Sequence, residues 1–130
     1  MSVKTFLTII SLIGLLFGIG ELLAPATMAS IYGAQVSPHS ALMSRFFGVA
    51  LLAWAMIAWF AKDFHDEADL RHVLAPSGFA HSAGVIVAVM GTLDGTTNAM
   101  GWLSALIFLF GAIGSFYFLT ARLPHGLVHN

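Results

Sequence analysis

Four apolar segments, each long enough to cross a bilayer, constrain this chain more than any other feature of its sequence. They cover about residues 4–23, 41–61, 73–93 and 99–121. A hydrocarbon core of ~30 Å is spanned by ~20 helical residues at 1.5 Å per residue. Because lipid offers no hydrogen-bond partners to a bare backbone, such segments must be helical. The sequence therefore predicts an all-α integral membrane protein built as a four-helix transmembrane bundle.

Composition supports this class and excludes several functions. Hydrophobic residues make up 58% of the chain and charged residues 8%, far from the values of a soluble domain. Four spans and short connections occupy all 130 residues, which predicts a single domain with the lipid bilayer as its environment. No basic run is present to bind nucleic acid, and the absence of cysteine excludes disulfides and thiolate chemistry.

Turn-forming residues define the connections. Pro25 and Gly33 are placed to start and end a short interfacial helix at about residues 25–32. Residues 62–71 hold most of the charge and predict a solvated loop. Residues 94–98, Asp-Gly-Thr-Thr-Asn, predict a tight turn that joins the third and fourth spans as a hairpin.

Basic residues indicate the orientation, because cytoplasmic connections are enriched in them. One side holds Lys4, Lys62, Arg71 and Arg122, and the other holds Arg45 within a span. Both termini are therefore predicted to be cytoplasmic.

Small residues mark the faces expected to lie inside the bundle, because close backbone approach stabilises helix pairs in lipid. In the first span Gly14, Gly18 and Glu21 share one stripe. The corresponding rows in the later spans are Ser44, Gly48, Leu52, Ala55 and Trp59; Ser77, His81, Gly84, Ala88 and Gly91; and Asn98, Gly101, Ala105 or Ser104, Phe108, Gly111 and Ser115. Ala58, Ala112 and Phe110 are expected on outer faces.

A polar cluster is predicted where the first span ends and the second begins. Glu21 and Arg45 lie within about a turn of the same boundary, which places them at matched depth for an ion pair. Asp94, Asn98 and Trp102 are further partners from the other hairpin. Intramembrane charges pair with one another or mark functional sites, so the cluster is either a structural clamp or a binding site.

His81 and Ser77 form a second polar position near the middle of the third span, where Pro76 is expected in the opening turn. A neutral histidine is tolerable there if Ser77 or a hydroxyl of the last span accepts its N–H. No metal site is predicted, because the remaining histidines are scattered without ligand spacing: His39, His65, His72, His125 and His129.

The aromatic residues of the second span can be interpreted in two ways. Phe46, Phe47 and Trp54 either pack and face lipid or line a cavity for a lipophilic molecule such as a quinone, a sterol-like compound or a carotenoid. No cofactor is specified by the residues.

The sequence GIGELLAP at the end of the first span, YG at the end of the connection and SRFFGVALL in the second span resemble the DoxX-like group of small four-helix bacterial membrane proteins. Glu21, Arg45 and Gly48 carry the pattern. The resemblance implies a four-helix bundle in the bacterial inner membrane and, for some relatives, association with respiratory or sulfur-oxidising membrane complexes. It supplies no catalytic residues.

Two classes of function follow from these features. The first is a structural or accessory subunit of a membrane complex or homo-oligomer, or a bundle that binds a lipophilic small molecule. The alternative is a membrane enzyme of isomerase or hydratase type, or a proton-coupled carrier, using His81 and Glu21. An enzyme requires a closed cavity with His81 and an acid, a carrier requires polar residues at successive depths, and a subunit requires an exposed packing face.

Overall fold

A computed structural model of the protein describes residues 1–121, in which all regular secondary structure is helical. Its helices are α1 (Val3–Leu23), α2 (Pro25–Ile31), α3 (Pro38–Ala61), α4 (Glu67–Leu93) and α5 (Met100–Thr120). All but α2 are long and apolar enough to cross a membrane, which confirms the prediction of four span-like helices. Arg122, His125 and His129 lie outside the described residues.

The connections at one end of the bundle follow their turn residues as predicted. Pro25 is the first residue of α2, and Gly33 leaves the helix with a φ of 76°. In the turn from α4 to α5, Gly95 has a φ of 79°. Both glycines adopt the left-handed backbone that residues with a Cβ avoid. The end of the bundle formed by α2 and this turn is called the α2 end.

Two helices begin earlier than predicted because their caps lie in polar sequence. The side chains of Ser37 and Ser40 form a reciprocal capping box, with Pro38 in the first turn, so α3 starts at Pro38. Asp66 caps α4, its carboxylate accepting a hydrogen bond from the Ala68 backbone N–H at 2.7 Å.

The prediction of a loop over residues 62–71 was therefore wrong in its second half, since α4 starts at Glu67. The expectation that Pro76 lies in an opening turn was also wrong, because Pro76 is inside α4. Its missing N–H leaves the carbonyl of His72 without the usual helical donor.

Helices pack as two antiparallel pairs, α1 with α3 and α4 with α5, and contacts between the pairs are far fewer. Glycines set the first pair: a Cβ added to Gly48 would lie 2.7 Å from the Leu22 nitrogen and 2.8 Å from the Gly18 oxygen. Such backbone proximity stabilises helix pairs in lipid. The expected inner face of α1 and α3 is confirmed at Gly14, Gly18 and Gly48, which are buried.

The four long helices meet in a hydrophobic core at the opposite end, where α1 begins. Its buried members are Phe6, Leu7, Ile10, Ala58, Ala61, Leu70, Leu74 and Phe118. The ring of Phe6 lies 5.4 Å from that of Phe118 and 5.6 Å from that of Phe110. Edge and tilted ring contacts at these separations are favourable.

Four residues lie on faces other than those predicted. Ala58 and Ala112 are buried, and Phe110 packs against the core rather than facing outward. Trp59 is 40% exposed, with the ammonium of Lys62 4.2 Å above its ring. Small-residue spacing alone located the closest backbone contacts but not the larger side chains that fill the space between the pairs.

Charged residues surround this core end, which is called the charged end. Lys4 and Lys62 each lie within 2.8 Å of a carboxylate oxygen of Asp63, and Arg71 lies 2.7 Å from Glu67. Hydrogen bonds from the two lysines lower the pKa of Asp63 to about 2. The exposed ion pairs stabilise the fold only weakly.

Candidate ligand-binding cavity

A cavity of about 230 Å³ lies between the two helix pairs. Every helix contributes to its lining except α2, whose C-terminal neighbour Tyr32 does so instead. Most of the wall is apolar, including Ile13, Phe17, Leu51, Ile107, Phe108 and Phe110. The polar members are Glu21, Tyr32, Trp54, His81 and Ser104. An apolar wall with a few convergent polar groups is typical of small-molecule sites.

Glu21 reaches the cavity from the last turn of α1, where it is half-buried. Its carboxylate accepts a hydrogen bond from the Ser44 hydroxyl of α3. The close contact of α1 with Gly48 brings these groups together: a Cβ added at Gly48 would lie 3.1 Å from that of Glu21. The predicted inward direction of Glu21 is therefore confirmed.

The ion pair expected between Glu21 and Arg45 does not form. Arg45 is exposed, and every ion pair found within residues 1–121 is at the charged end. Successive helical residues are rotated by about 100°. Because Ser44 faces α1, its neighbour Arg45 points away, and the hydroxyl takes the place predicted for the guanidinium.

The remaining members of the expected cluster lie elsewhere at the α2 end, and none lines the cavity. Asp94 is exposed and accepts a hydrogen bond from the Thr96 backbone N–H at 2.8 Å; hydrogen bonding to Thr96 holds its pKa below the ordinary value. The Asn98 amide donates to the Ile31 carbonyl at 2.9 Å, which joins the α4–α5 turn to α2. Trp102 is 46% exposed.

Tyr32 and Ser104 form a polar contact that the sequence reasoning missed. The Tyr32 hydroxyl lies 2.6 Å from Ser104 Oγ, and both residues line the cavity. Tyr32 was expected at the membrane surface. The sequence did contain a signal for this contact, because Ser104 was one of the two residues considered for the same inner position of α5, the other being Ala105. Together with Glu21, this pair makes the cavity polar near the α2 end.

His81 lines the cavity from α4 and is held by Ser77, one of the two partners predicted for it. Its Nδ1 lies 2.8 Å from the Ser77 carbonyl oxygen and 3.2 Å from Ser77 Oγ. Ser115 of α5 donates to Ser77 Oγ at 3.0 Å, and both serines are fully buried. The network fixes the orientation of the imidazole between α4 and α5.

Aromatic rings lie around His81. Ring centroids of Trp54 and Phe108 lie 6.4 Å and 6.0 Å from that of His81, both edge to face. Of the three aromatics proposed for a cavity, Phe47 and Trp54 line it, whereas Phe46 is 62% exposed. The Trp54 indole N–H is buried and has no hydrogen-bond acceptor among the described residues. A buried donor without a partner is costly.

The polar groups of the cavity lie at two depths. Glu21 lies beside Gly48, and His81 lies beside Trp54, six residues further along α3. At 1.5 Å per residue the two levels are ~9 Å apart. Beyond His81 the hydrophobic core closes the bundle toward the charged end. The cavity is therefore a pocket with one deep end rather than a path through the protein.

No protein-family model, curated protein or solved structure matches the chain. Within residues 1–121, no group of three or more His, Cys, Asp or Glu side chains is arranged to hold a metal ion.

Proposed function

We propose that this protein is a membrane-embedded binding protein for a lipophilic small molecule. The observation that carries the proposal is the cavity between the helix pairs, which has apolar walls and two separate polar levels. Such a pocket suits a molecule whose apolar body fills the space between Glu21 and His81. Polar groups at either level then orient it.

Size limits the ligand class. An engineered apolar cavity of ~150 Å³ binds benzene. A cavity of about 230 Å³ therefore accommodates a molecule of roughly ten non-hydrogen atoms. A bicyclic aromatic or a short branched chain has this size, and only the ring portion of a long-tailed quinone would fit inside. A tail would extend between the helix pairs into lipid.

The alternatives differ in their support. A proton-coupled carrier is disfavoured, because polar groups stop at Ser77 and Ser115 and the core blocks the charged end. An enzyme of isomerase or hydratase type is the second candidate, since Glu21 and His81 line one cavity. Their separation of ~9 Å requires a substrate that reacts at two distant atoms or uses one of the groups only for binding.

An accessory role in a membrane complex or homo-oligomer is compatible with ligand binding. We further propose a bacterial inner membrane location with the charged end on the cytoplasmic side, based on the distribution of basic residues. The DoxX-like resemblance stays a prediction.

The orientation is measured on two cysteine variants, since the chain has no native cysteine. Gln35→Cys at the α2 end and His65→Cys at the charged end both occupy exposed connections. An impermeant thiol reagent applied to intact cells is expected to label residue 35 and to leave residue 65 unmodified. The reverse labelling would place the charged end outside.

Ligand binding is tested by saturable uptake of 2-naphthol into the protein in lipid nanodiscs. Ile107→Trp fills the cavity, whereas Leu106→Trp places the same bulk on an exposed position of the same helix. We expect one saturable site in wild type and in the Leu106 variant, and its loss in the Ile107 variant. Equal uptake by all three proteins would show partitioning into lipid and would contradict the proposal.

A further inference from the structure

The deep end of the cavity carries an unused hydrogen-bond acceptor. We infer that Nε2 of His81 accepts a hydrogen bond from a neutral hydroxyl group of the ligand. The inference rests on the proposed ligand-binding function and specifies the chemistry at one end of the ligand.

The tautomer of His81 follows from its partner. Nδ1 lies 2.8 Å from the Ser77 carbonyl oxygen, which can only accept a hydrogen bond. Nδ1 therefore carries the proton. No carboxylate forms an ion pair with His81 in the described part of the chain, and an unpaired charge at this depth of the membrane is expensive. The imidazole is thus neutral, and Nε2 presents a lone pair.

Nε2 of His81 is free to accept a hydrogen bond. Both hydrogen-bond contacts of His81 involve Nδ1, so Nε2 is unpaired among residues 1–121. The Trp54 indole nitrogen is the one fully buried side-chain nitrogen or oxygen there that lacks a hydrogen-bond partner. Nε2 is consequently not fully buried, and His81 lines the cavity. This edge of the ring packs beside Gly111, where a Cβ would collide with Cδ2 and Nε2.

The acceptor selects the ligand group. A lone pair in an apolar wall is satisfied by a donor, which excludes carbonyls, ethers and hydrocarbons as its partner. An ammonium group would have to carry its charge to this level, whereas Glu21 offers a carboxylate near the α2 end. A neutral alcohol or phenol meets the requirement. The Ser77 and Ser115 hydroxyls do not supply the donor, since their contacts are with Nδ1 and with each other and neither forms a hydrogen bond with Nε2.

The ligand is thereby oriented. Its hydroxyl lies at the level of Trp54 and Phe108, and its apolar body extends ~9 Å toward Glu21 and the Tyr32–Ser104 pair. Any second polar group of the ligand is placed at the α2 end.

A pair of probes of matched shape tests the inference. 2-Naphthol and 2-methylnaphthalene differ in one position, a hydroxyl against a methyl group. After correction for partitioning into empty nanodiscs, wild type is expected to bind 2-naphthol about three- to tenfold more tightly, the effect of one hydrogen bond. His81→Phe should lose this preference and still bind 2-methylnaphthalene, while Glu21→Gln should keep the preference.

A measurement on the wild-type protein removes dependence on the folding of the variant. The ¹⁵N resonance of His81 Nε2 should shift on addition of 2-naphthol and stay in place with 2-methylnaphthalene. Equal affinity for the two probes, or a preference that survives in His81→Phe and vanishes in Glu21→Gln, would overturn the inference and leave the ligand-binding function intact. Saturable binding of neither probe would instead overturn the proposed function.

Discussion

The two halves of the bundle solve the same packing problem differently. At the charged end Phe6, Leu7 and Leu74 are fully buried, and all four long helices meet around them. Toward the α2 end the helices stay paired, but a cavity separates the pairs. Lipid provides almost no hydrophobic force between helices, so only interdigitating side chains close such a space.

Glycine explains why the second half is open. Gly14, Gly18 and Gly48 let α1 and α3 approach closely, and Gly14 also lines the cavity. A residue that brings two backbones together has no side chain to fill the space beyond them. Tight pairing within one helix pair and a void between the pairs therefore have the same cause, and a binding pocket results without a separate domain.

The largest expected effect is at the packed half. Phe6→Ala removes the ring that contacts both Phe110 and Phe118 and leaves a void in the core. Such truncations cost ~3–5 kcal/mol in soluble cores. We expect the low end of that range, because apolar groups gain little on leaving lipid. Thermal unfolding in detergent measures the loss.

Phe79→Ala is the matched control, since that ring is 76% exposed. It should unfold close to the wild-type temperature. Phe108→Ala sharpens the comparison, because it enlarges the existing cavity and should admit a larger probe. If the Phe6 and Phe79 variants were equally stable, the charged end would not be the packed half.

A smaller loss of stability is expected when a methyl group is added at the close contact between α1 and α3. In Gly48→Ala the new methyl group meets backbone atoms of Leu22 and Gly18, which cannot move as a flexible side chain can. Overpacking of this kind costs ~1–3 kcal/mol. In Gly91→Ala the nearest atom is a Thr97 methyl group 4.0 Å away. That control should be neutral or slightly stabilising, given the helix propensity of alanine. Equal losses in unfolding assays would remove the argument for α1–α3 proximity.

The ion pairs of the charged end give a smaller, pH-dependent effect. The pKa of Asp63 falls from 3.8 to about 2 on folding, so the folded state binds fewer protons than the unfolded chain near pH 3. Its contribution is present above pH 3.8 and is lost as the pH falls through about 2. The exposure of the side chain keeps this contribution small. The unfolding temperature of wild type should therefore lie slightly above that of Asp63→Asn at neutral pH. The difference between the two proteins should disappear in acid. A constant gap across that range would contradict the assignment.

The smallest effect on stability is expected for Glu21 and Arg45, which do not form an ion pair. Arg45→Gln should change unfolding by less than about 0.5 kcal/mol, because its side chain is exposed. Combined with Glu21→Gln, the losses should be additive, since Ser44 rather than Arg45 contacts the carboxylate. A coupling energy above that value in the double-mutant cycle would restore the ion pair.

Local sequence patterns were sufficient for much of the architecture. Hydrophobic length predicted four spans, and Pro25 and Gly33 bounded the short helix correctly. The starts of two helices were predicted too late, because the first turn of each is polar. Ser37 and Asp66 cap α3 and α4 before the apolar segments begin. Capping acts on backbone N–H groups regardless of hydropathy, so a hydropathy boundary marks the membrane edge and not the helix end.

What the sequence determined by itself is the set of properties that arise within one helix: its length, its small-residue face and the inward stripe of Gly14, Gly18 and Glu21. What only the tertiary structure decided is which polar groups converge. One residue of rotation directs Ser44 toward Glu21 and Arg45 away from it. The joining of Glu21, Tyr32 and His81 in one cavity depends on the angle and spacing between two helix pairs. These are set by large side chains distant in sequence, because in lipid their packing decides how the pairs meet.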